Sequence, residues 1–508
     1  MSKSLTSIAT HYHQRTKYHP ETIARKSQGL DWSKQPSVFK QYKIGTSYDL
    51  TVYLSDKATS DEHTPYWRRL SRFLACSYGL TAKIPTMGEP LYLRAAPSAG
   101  GLYPAEVYLI SRGTPQLPAG LYHYQPQTHS LIYFWESDVW SNLQEACAWD
   151  LDLEDAQLAI ITTAIFYRSA WRYEDRAYRR ILLDTGHLLG NIELAAAINH
   201  YRPHLIGGFS DYIINELLYL DPDQEAGITV ISLKDLLNPQ QNPSQSFKTT
   251  TLPSEIHTDY PSISDGELLY YFHQATEIRI SERLPDATLS NEISNLEDKY
   301  NFPFCLKVST KTKPINWGEN LLNLEQTILK RRSTRAYTGA NLTLEELNSL
   351  LNFTYQAQDY EDIGLDADPD YFDLSLIETF IAVSGVNGLE EGCYYYAPKA
   401  QELRQIRFKN FRQELHYLCL GQELGRDAAA VIFHTADLEK AVQKYGDRAY
   451  RYLHLDAGHL GQRLNLAAIE LNLGVSGIGG FFDDQVNEVL GIPSDEAVLY
   501  ITTLGRPH

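Results

Sequence analysis

Cysteine is scarce in this chain: five in 508 residues (Cys76, Cys147, Cys305, Cys393, Cys419), scattered and with no CxxC pair. That excludes a disulfide framework and a cysteine-based zinc site, and it fits a reducing compartment. Positive charge is also short, with 45 Lys and Arg against 63 Asp and Glu and a net charge of −18. Nonspecific binding to nucleic acid or to an anionic membrane is therefore not expected. No run of about 18 apolar residues marks a membrane span, and the N-terminus lacks the apolar core of a signal peptide. No GxGxxG follows a strand, so a Rossmann site for NAD(P)H is missing. These absences predict a soluble, cytoplasmic, metal-free protein.

What the chain does have is a second copy of itself. Arg172 to Phe209 reads RYEDRAYRRILLDTGHLLGNIELAAAINHYRPHLIGGF, and Lys444 to Phe482 reads KYGDRAYRYLHLDAGHLGQRLNLAAIELNLGVSGIGGFF, at a constant offset of 272. Solenoid repeats recur every 20 to 50 residues or so, so copies this far apart are whole domains. The expected organisation is an N-terminal segment 1–60, a degenerate domain 61–240, a linker with a small helix 241–320, and a second domain 321–508.

Within the copies, Leu453, Ala457, Leu460, Leu464, Ala468 and Leu471 recur every three or four residues, which predicts a long helix. Asp447 stands near its start, where a carboxylate suits unpaired N–H groups. Gly186 and Gly458 fall in mid-helix, where glycine costs about 1 kcal/mol against alanine; a close backbone approach at a domain contact explains them. Asp456 and His459 read as buried structural partners. Strands are expected over Tyr48–Leu54, Glu106–Ile110, Gly120–Tyr124 and Leu158–Phe166, and helices over Trp67–Tyr78 and Asn323–Lys330. Thr343 and Glu346 form a capping box. The His- and Tyr-rich stretch around His11 and His13 reads as a solvated arm. QQNPSQSFKTTTLPS reads as a polar linker, and the helical stretch after it shows no counterpart elsewhere in the chain.

The copies differ in an informative way. Pro97, Ser98, Ala99, Gly100 and Gly101 form a small-residue loop whose N–H groups could face a planar or anionic ligand, although a plain turn fits equally. At the same register the second copy carries Asp370, Tyr371, Phe372 and Asp373. Conversely, Arg331, Arg332, Ser333 and Arg335, with the terminal Arg506, suit a phosphate, and the first copy has no such set. The bland reading of that cluster is a solvated basic turn. Each half keeps what the other lost, which predicts one composite site between them.

At PSAGGLYP, RRSTR, KYGDRAYR…LDAGH and GIGGF…GRP the chain resembles the nitroreductase-like flavoproteins, and more closely their SagB-type azoline dehydrogenases; the fused form is similar to cyanobactin thiazoline oxidases. The resemblance implies an α+β fold of tandem nitroreductase-like domains forming an intrachain pseudo-dimer around the long helices. It implies one FMN per chain. Arg331, Arg332, Ser333, Arg335 and Arg506 would hold its phosphate and ribityl chain, Gly477, Ile478, Gly479 and Gly480 its pyrimidine end, and Pro97, Ser98, Ala99 and Gly100 would reach across. The implied reaction oxidises thiazoline or oxazoline rings of a precursor peptide, with hydride passing to flavin N5 and O2 as final acceptor. The family's Lys-Tyr pair falls on Lys444 and Tyr445; the first copy has Arg172 and Tyr173, and the sequence leaves open which pair faces the flavin. An NAD(P)H-dependent nitro or flavin reductase and a flavin-free peptide-binding protein are the alternatives. The added segments would help recruit peptide, and two pseudo-dimers could associate.

Overall fold

The computed structural model describes residues 6–25, 29–55, 63–86, 88, 90–238, 241, 251–280 and 296–508. Most of the polar linker and the acidic flank at 281–295 lie outside them.

Two seven-stranded sheets of identical topology dominate. The first is built from β1 (Thr46–Asp49), β2 (Ala105–Ser111), β3 (Gly120–Gln125), β4 (Ser130–Trp135), β5 (Leu158–Ile165), β6 (Tyr201–Ile206) and β7 (Glu225–Asp235), in the order β1-β4-β3-β2-β5-β7-β6. The second repeats that order with β8 (Lys307–Ser309), β9 (Glu378–Val383), β10 (Gly392–Ala397), β11 (Glu402–Arg407), β12 (Ala430–Asp437), β13 (Gly474–Ile478) and β14 (Glu496–Gly505), as β8-β11-β10-β9-β12-β14-β13. Every pairing in both is antiparallel. The edge strands β1 and β8 come from the segments expected to precede each domain. The predicted strand over Tyr48–Leu54 stops at Asp49, and Thr51–Leu54 is a 3₁₀ turn. The capping box at Thr343 and Glu346 is present.

Four helices order the centre: α1 (Ile8–Arg15), α2 (Ala177–Ile198), α3 (Leu268–Ala275) and α4 (Ala449–Glu470). The long helices α2 and α4 are buried on almost every side, because each packs on its own sheet and on the other helix. The run Phe166–Ile198 is apolar and long enough to cross a membrane, but 89% of its most apolar window is buried inside the fold. A Cβ at Gly186 would lie 2.8 Å from Gly458 Cα and collide with the Leu455 carbonyl; one at Gly458 would collide with the Leu183 carbonyl. The two backbones cross there, and only glycine permits the approach.

Three expectations are corrected. His13 is 2% exposed, and α1 buries Ile8, Ala9 and Tyr12 with it, so this stretch is not a solvated arm. Nor is the helical stretch after the linker without a counterpart. YHQRT (12–16) in and after α1 matches FHQAT (272–276) in and after α3, at an offset of 260 rather than 272, and Tyr12 stacks on Phe272 at 4.4 Å. Asp447 does not cap its own helix: it accepts N–H from Ala9 and His257, while its counterpart Asp175 accepts from Gly266 and Leu269.

These short helices staple the halves. Arg176 and Arg179 reach Asp483 and Thr16, whereas Arg448 and Arg451 reach Asp211 and Thr276. Each domain thus supplies the carboxylate for two buried guanidinium groups of the other. Buried this way, α1 and α3 are structural parts of the core.

Candidate functional site

Arg331 follows the helix Leu322–Lys330 and crosses into the first domain. Its Nε donates to Ala95 O (2.7 Å) and its Nη2 to Arg94 O (3.1 Å). Arg332 Nη1 donates to Thr81 Oγ1 (3.0 Å) and Nη2 to Thr81 O (2.9 Å). The second domain's arginines therefore grip the first domain's chain, Arg331 just before Pro97–Gly101 and Arg332 at Thr81. Burial pulls Arg331 down to about 10, and its Nη1 is enclosed without a partner. Arg335 is exposed. Arg506 is turned toward the helix Leu344–Tyr355, where its Nη2 donates to Glu346 Oε2 (2.7 Å).

The loop itself is pinned from α2. Ser98 Oγ donates to Asp184 Oδ2 at 2.6 Å, Ala99 N donates to the same carboxylate at 3.1 Å, and Tyr103 N donates to Ser98 Oγ at 2.8 Å. Burial pushes Asp184 up to about 7, against those two hydrogen bonds. Gly100 and Gly101 take φ of 67° and 68°, left-handed values that favour glycine. A Cβ at Gly100 would stand 2.8 Å from the Tyr173 hydroxyl. The Tyr173 ring lies under Arg180 at 3.9 Å, with Arg172 at 5.6 Å. Burial raises the Tyr173 phenol, and the two guanidinium groups oppose it.

From the second domain, Gly477, Ile478, Gly479 and Gly480 run along the same place. A Cβ at Gly479 would be 3.1 Å from Arg180 Nε, and one at Gly480 3.8 Å from its Nη2 and 3.9 Å from the Tyr18 ring. Behind Gly477 lies Tyr500, whose hydroxyl is 2.8 Å from His187 Nε2. Pro97–Gly100, Tyr173, Arg331 and Gly477–Gly480 thus meet along one seam between the domains.

Lys444 and Tyr445 do not. Lys444 Nζ and Tyr445 Oη both donate to Asp373 Oδ2, at 2.7 and 2.9 Å, and the lysine side chain is 42% exposed. The reason is that each pair lies beside its own domain's loop, so the surviving Lys-Tyr pair belongs to the degenerate loop and the intact loop belongs to Arg172 and Tyr173. The second seam is also filled. Leu252 packs on Gly208, Tyr452 Oη donates to Gly207 O (2.7 Å) and Leu252 O (2.8 Å), and Ser254 N donates to Tyr445 O (3.1 Å). Phe372 stacks on Tyr452 at 4.5 Å and Tyr371 on His459 at 4.3 Å. Asp456 accepts N–H from Phe372 and Asp373, a structural role matching that of Asp184 on the loop. A separate polar cavity of about 460 Å³, lined by Lys17, Asp437, Glu439 and Asp484 among others, contains none of the expected site residues.

Arg180, Tyr18 and the His187–Tyr500 pair went unnoticed in the sequence. Arg180 was visible as a difference between copies, AYRR against AYRY; the others depend on chain crossings that no local pattern encodes.

The seam fits a flat, anionic, oxygen-rich group such as FMN. Two enclosed guanidinium nitrogens, Arg331 Nη1 and Arg180 Nη1, have no partner among the described residues, and the glycine stretch has no side chains to fill the space beside Arg180.

Fold and seam together define a duplicated α+β protein in which one chain imitates a dimer, with one inter-domain seam filled by Leu252 and the other lined by Gly100, Tyr173, Arg180 and Gly479–Gly480. Residues 68–231 and 328–506 each match the Nitroreductase family, and the chain belongs to it as a tandem duplicate of that fold. It is 70% identical to a nitroreductase homologue from Anabaena variabilis whose crystal structure covers 99% of this chain and 100% of its own, with a TM-score of 0.93. It is 34% identical over 185 residues to the nitroreductase homologue MJ1384 of Methanocaldococcus jannaschii, covering 36% of this chain and 91% of that one. The microcin B17-processing protein McbC of Escherichia coli is 29% identical over 142 residues, covering 27% of this chain and 52% of McbC.

Proposed function

We propose that this chain is an FMN-dependent oxidase that converts thiazoline or oxazoline rings in ribosomally made peptides to thiazoles or oxazoles, with O2 as terminal acceptor. The observation that carries the reading is the seam: a glycine-rich cradle and an arginine set, on opposite halves of one nitroreductase-family chain, joined by Arg331 on Ala95. Kinship with a protein named for processing the peptide microcin B17 supports a peptide substrate.

FMN, when bound, supplies a two-electron acceptor for the ring hydride and passes those electrons to O2. Arg331, Arg332, Ser333 and Arg335 would hold its phosphate and ribityl chain, and Gly477–Gly480 would offer backbone N–H groups to the pyrimidine end. The Ser98–Gly100 loop, fixed by Asp184, bounds the seam from the other domain. The ring proton needs an acceptor, and arginine cannot serve because it stays protonated. With Lys444 held on Asp373 at the second seam, the acceptor on this side would be the Asp184 carboxylate, poised near 7 behind Ser98, and Tyr173, which burial keeps protonated beside Gly100, would orient the ring as a hydrogen-bond donor.

The test is an anaerobic absorbance trace of the purified protein. An azoline-bearing peptide should bleach the flavin bands without NAD(P)H, and O2 should restore them. Bleaching by NAD(P)H alone would favour a small-molecule nitro or flavin reductase. A colourless protein would contradict both.

A further inference from the structure

We propose that Arg180 is a ligand-facing cation of the seam beside Gly479 and Gly480, built to receive an oxygen that carries negative charge. The identity of the seam's occupant rests on the reading above; the existence of an anion site does not.

Arg180 is 5% exposed, yet none of its nitrogens makes an ion pair or hydrogen bond among the described residues, and Nη1 is wholly enclosed. A buried charge in that state is costly unless a partner arrives. Its neighbours on the two long helices show the ordinary solution. Arg176 and Arg179 share Asp483, Arg448 and Arg451 share Asp211, and Arg463 pairs with Glu193. Asp184, one turn beyond Arg180, has its oxygens committed to Ser98 and Ala99.

The guanidinium carbon stands 3.9 Å from the centre of the Tyr173 ring and 5.9 Å from that of Tyr18. Such ring contacts attract the charge but give no acceptor to the N–H edge. That edge borders Gly479 and Gly480, which carry no side chain of their own, and the nearest other side chain there, Leu420, is apolar and offers no acceptor. The other half of the molecule supplies a control. The residue at the same place there is Tyr452, whose hydroxyl is satisfied by Gly207 O and Leu252 O. Where the linker fills the seam the position is neutral and paired; at the other seam it is cationic and without a hydrogen-bond partner among the described residues.

A negatively charged oxygen at this place has two sources: the pyrimidine end of FMN, whose charge grows on reduction, or a carboxylate of the substrate. Holoprotein with Arg180→Met, Arg180→Lys and Arg180→Tyr separates them. Two quantities are read: the reduction potential and affinity of the bound flavin, and benzoate binding followed by flavin absorbance.

If the flavin is the source, Arg180→Met weakens binding of reduced FMN at least tenfold more than that of oxidised FMN, lowering the potential, and Arg180→Lys restores most of it. If the source is a substrate carboxylate, the potential stays put, benzoate binding falls at least tenfold in Arg180→Met, and Arg180→Lys retains part. Unchanged potential together with unchanged or absent benzoate binding overturns the proposal. Arg180→Tyr, the residue already accommodated in the other half, keeps the test open should Arg180→Met fail to fold by circular dichroism. Should the wild-type protein be colourless, the proposed function fails, and calorimetric titration of benzoate into it still decides whether Arg180 holds an anion.

Discussion

Two tyrosines and a lysine separate the accounts that sequence and structure support. Lys444 stood out in the sequence because it matches a catalytic pair by resemblance, but its ammonium rests on Asp373 at the second seam. Lys444→Ala is therefore expected to leave turnover within about twofold of wild type, whereas Tyr173→Phe should lower kcat on the order of 100-fold, both measured by thiazole formation from an azoline peptide. Comparable losses in both variants would contradict the placement. Asp184 and Asp456 give a pH signature. Burial raises each to about 7, well above the usual carboxylate range, so the folded state binds their protons more tightly. Their contribution to stability is present at pH values below the unfolded pKa and is lost as pH rises through 7. Thermal melts should show Asp184→Asn with a shallower loss between about pH 4 and 7 than wild type; an identical slope would rule this group out as a cause.

At the scale of elements, the duplicated block was legible because apolar spacing and paired mid-helix glycines encode a buried helix crossing directly. Gly458→Ala should destabilise the chain by about 1–3 kcal/mol, since a Cβ must push two backbones apart; urea unfolding measures it. The short helices α1 and α3 were not legible as a pair. The offset drops from 272 to 260 between them and the domains, which hides a five-residue likeness from a fixed-register comparison. Their meaning lies in Thr16 and Thr276, whose hydroxyls meet buried arginines from the long helices. Asp483→Asn leaves Arg176 and Arg179 buried without a carboxylate and should cost about 3–5 kcal/mol, read in the same unfolding experiment.

Across the whole molecule, complementary loss between the copies pointed to a composite site, and Arg331 and Arg332 do reach from the second domain onto the first beside the intact loop. What no pattern could show is how the second seam is closed. A linker residue, Leu252, fills the space beside Gly208, and an arginine-to-tyrosine exchange between positions 180 and 452 lets Tyr452 tie that linker down. The central claim, one flavin site per pseudo-dimer, is tested most directly by the molar ratio of FMN to chain in the purified, flavin-saturated protein. The account predicts a ratio of about one; a ratio near two, or no bound flavin at all, would contradict it.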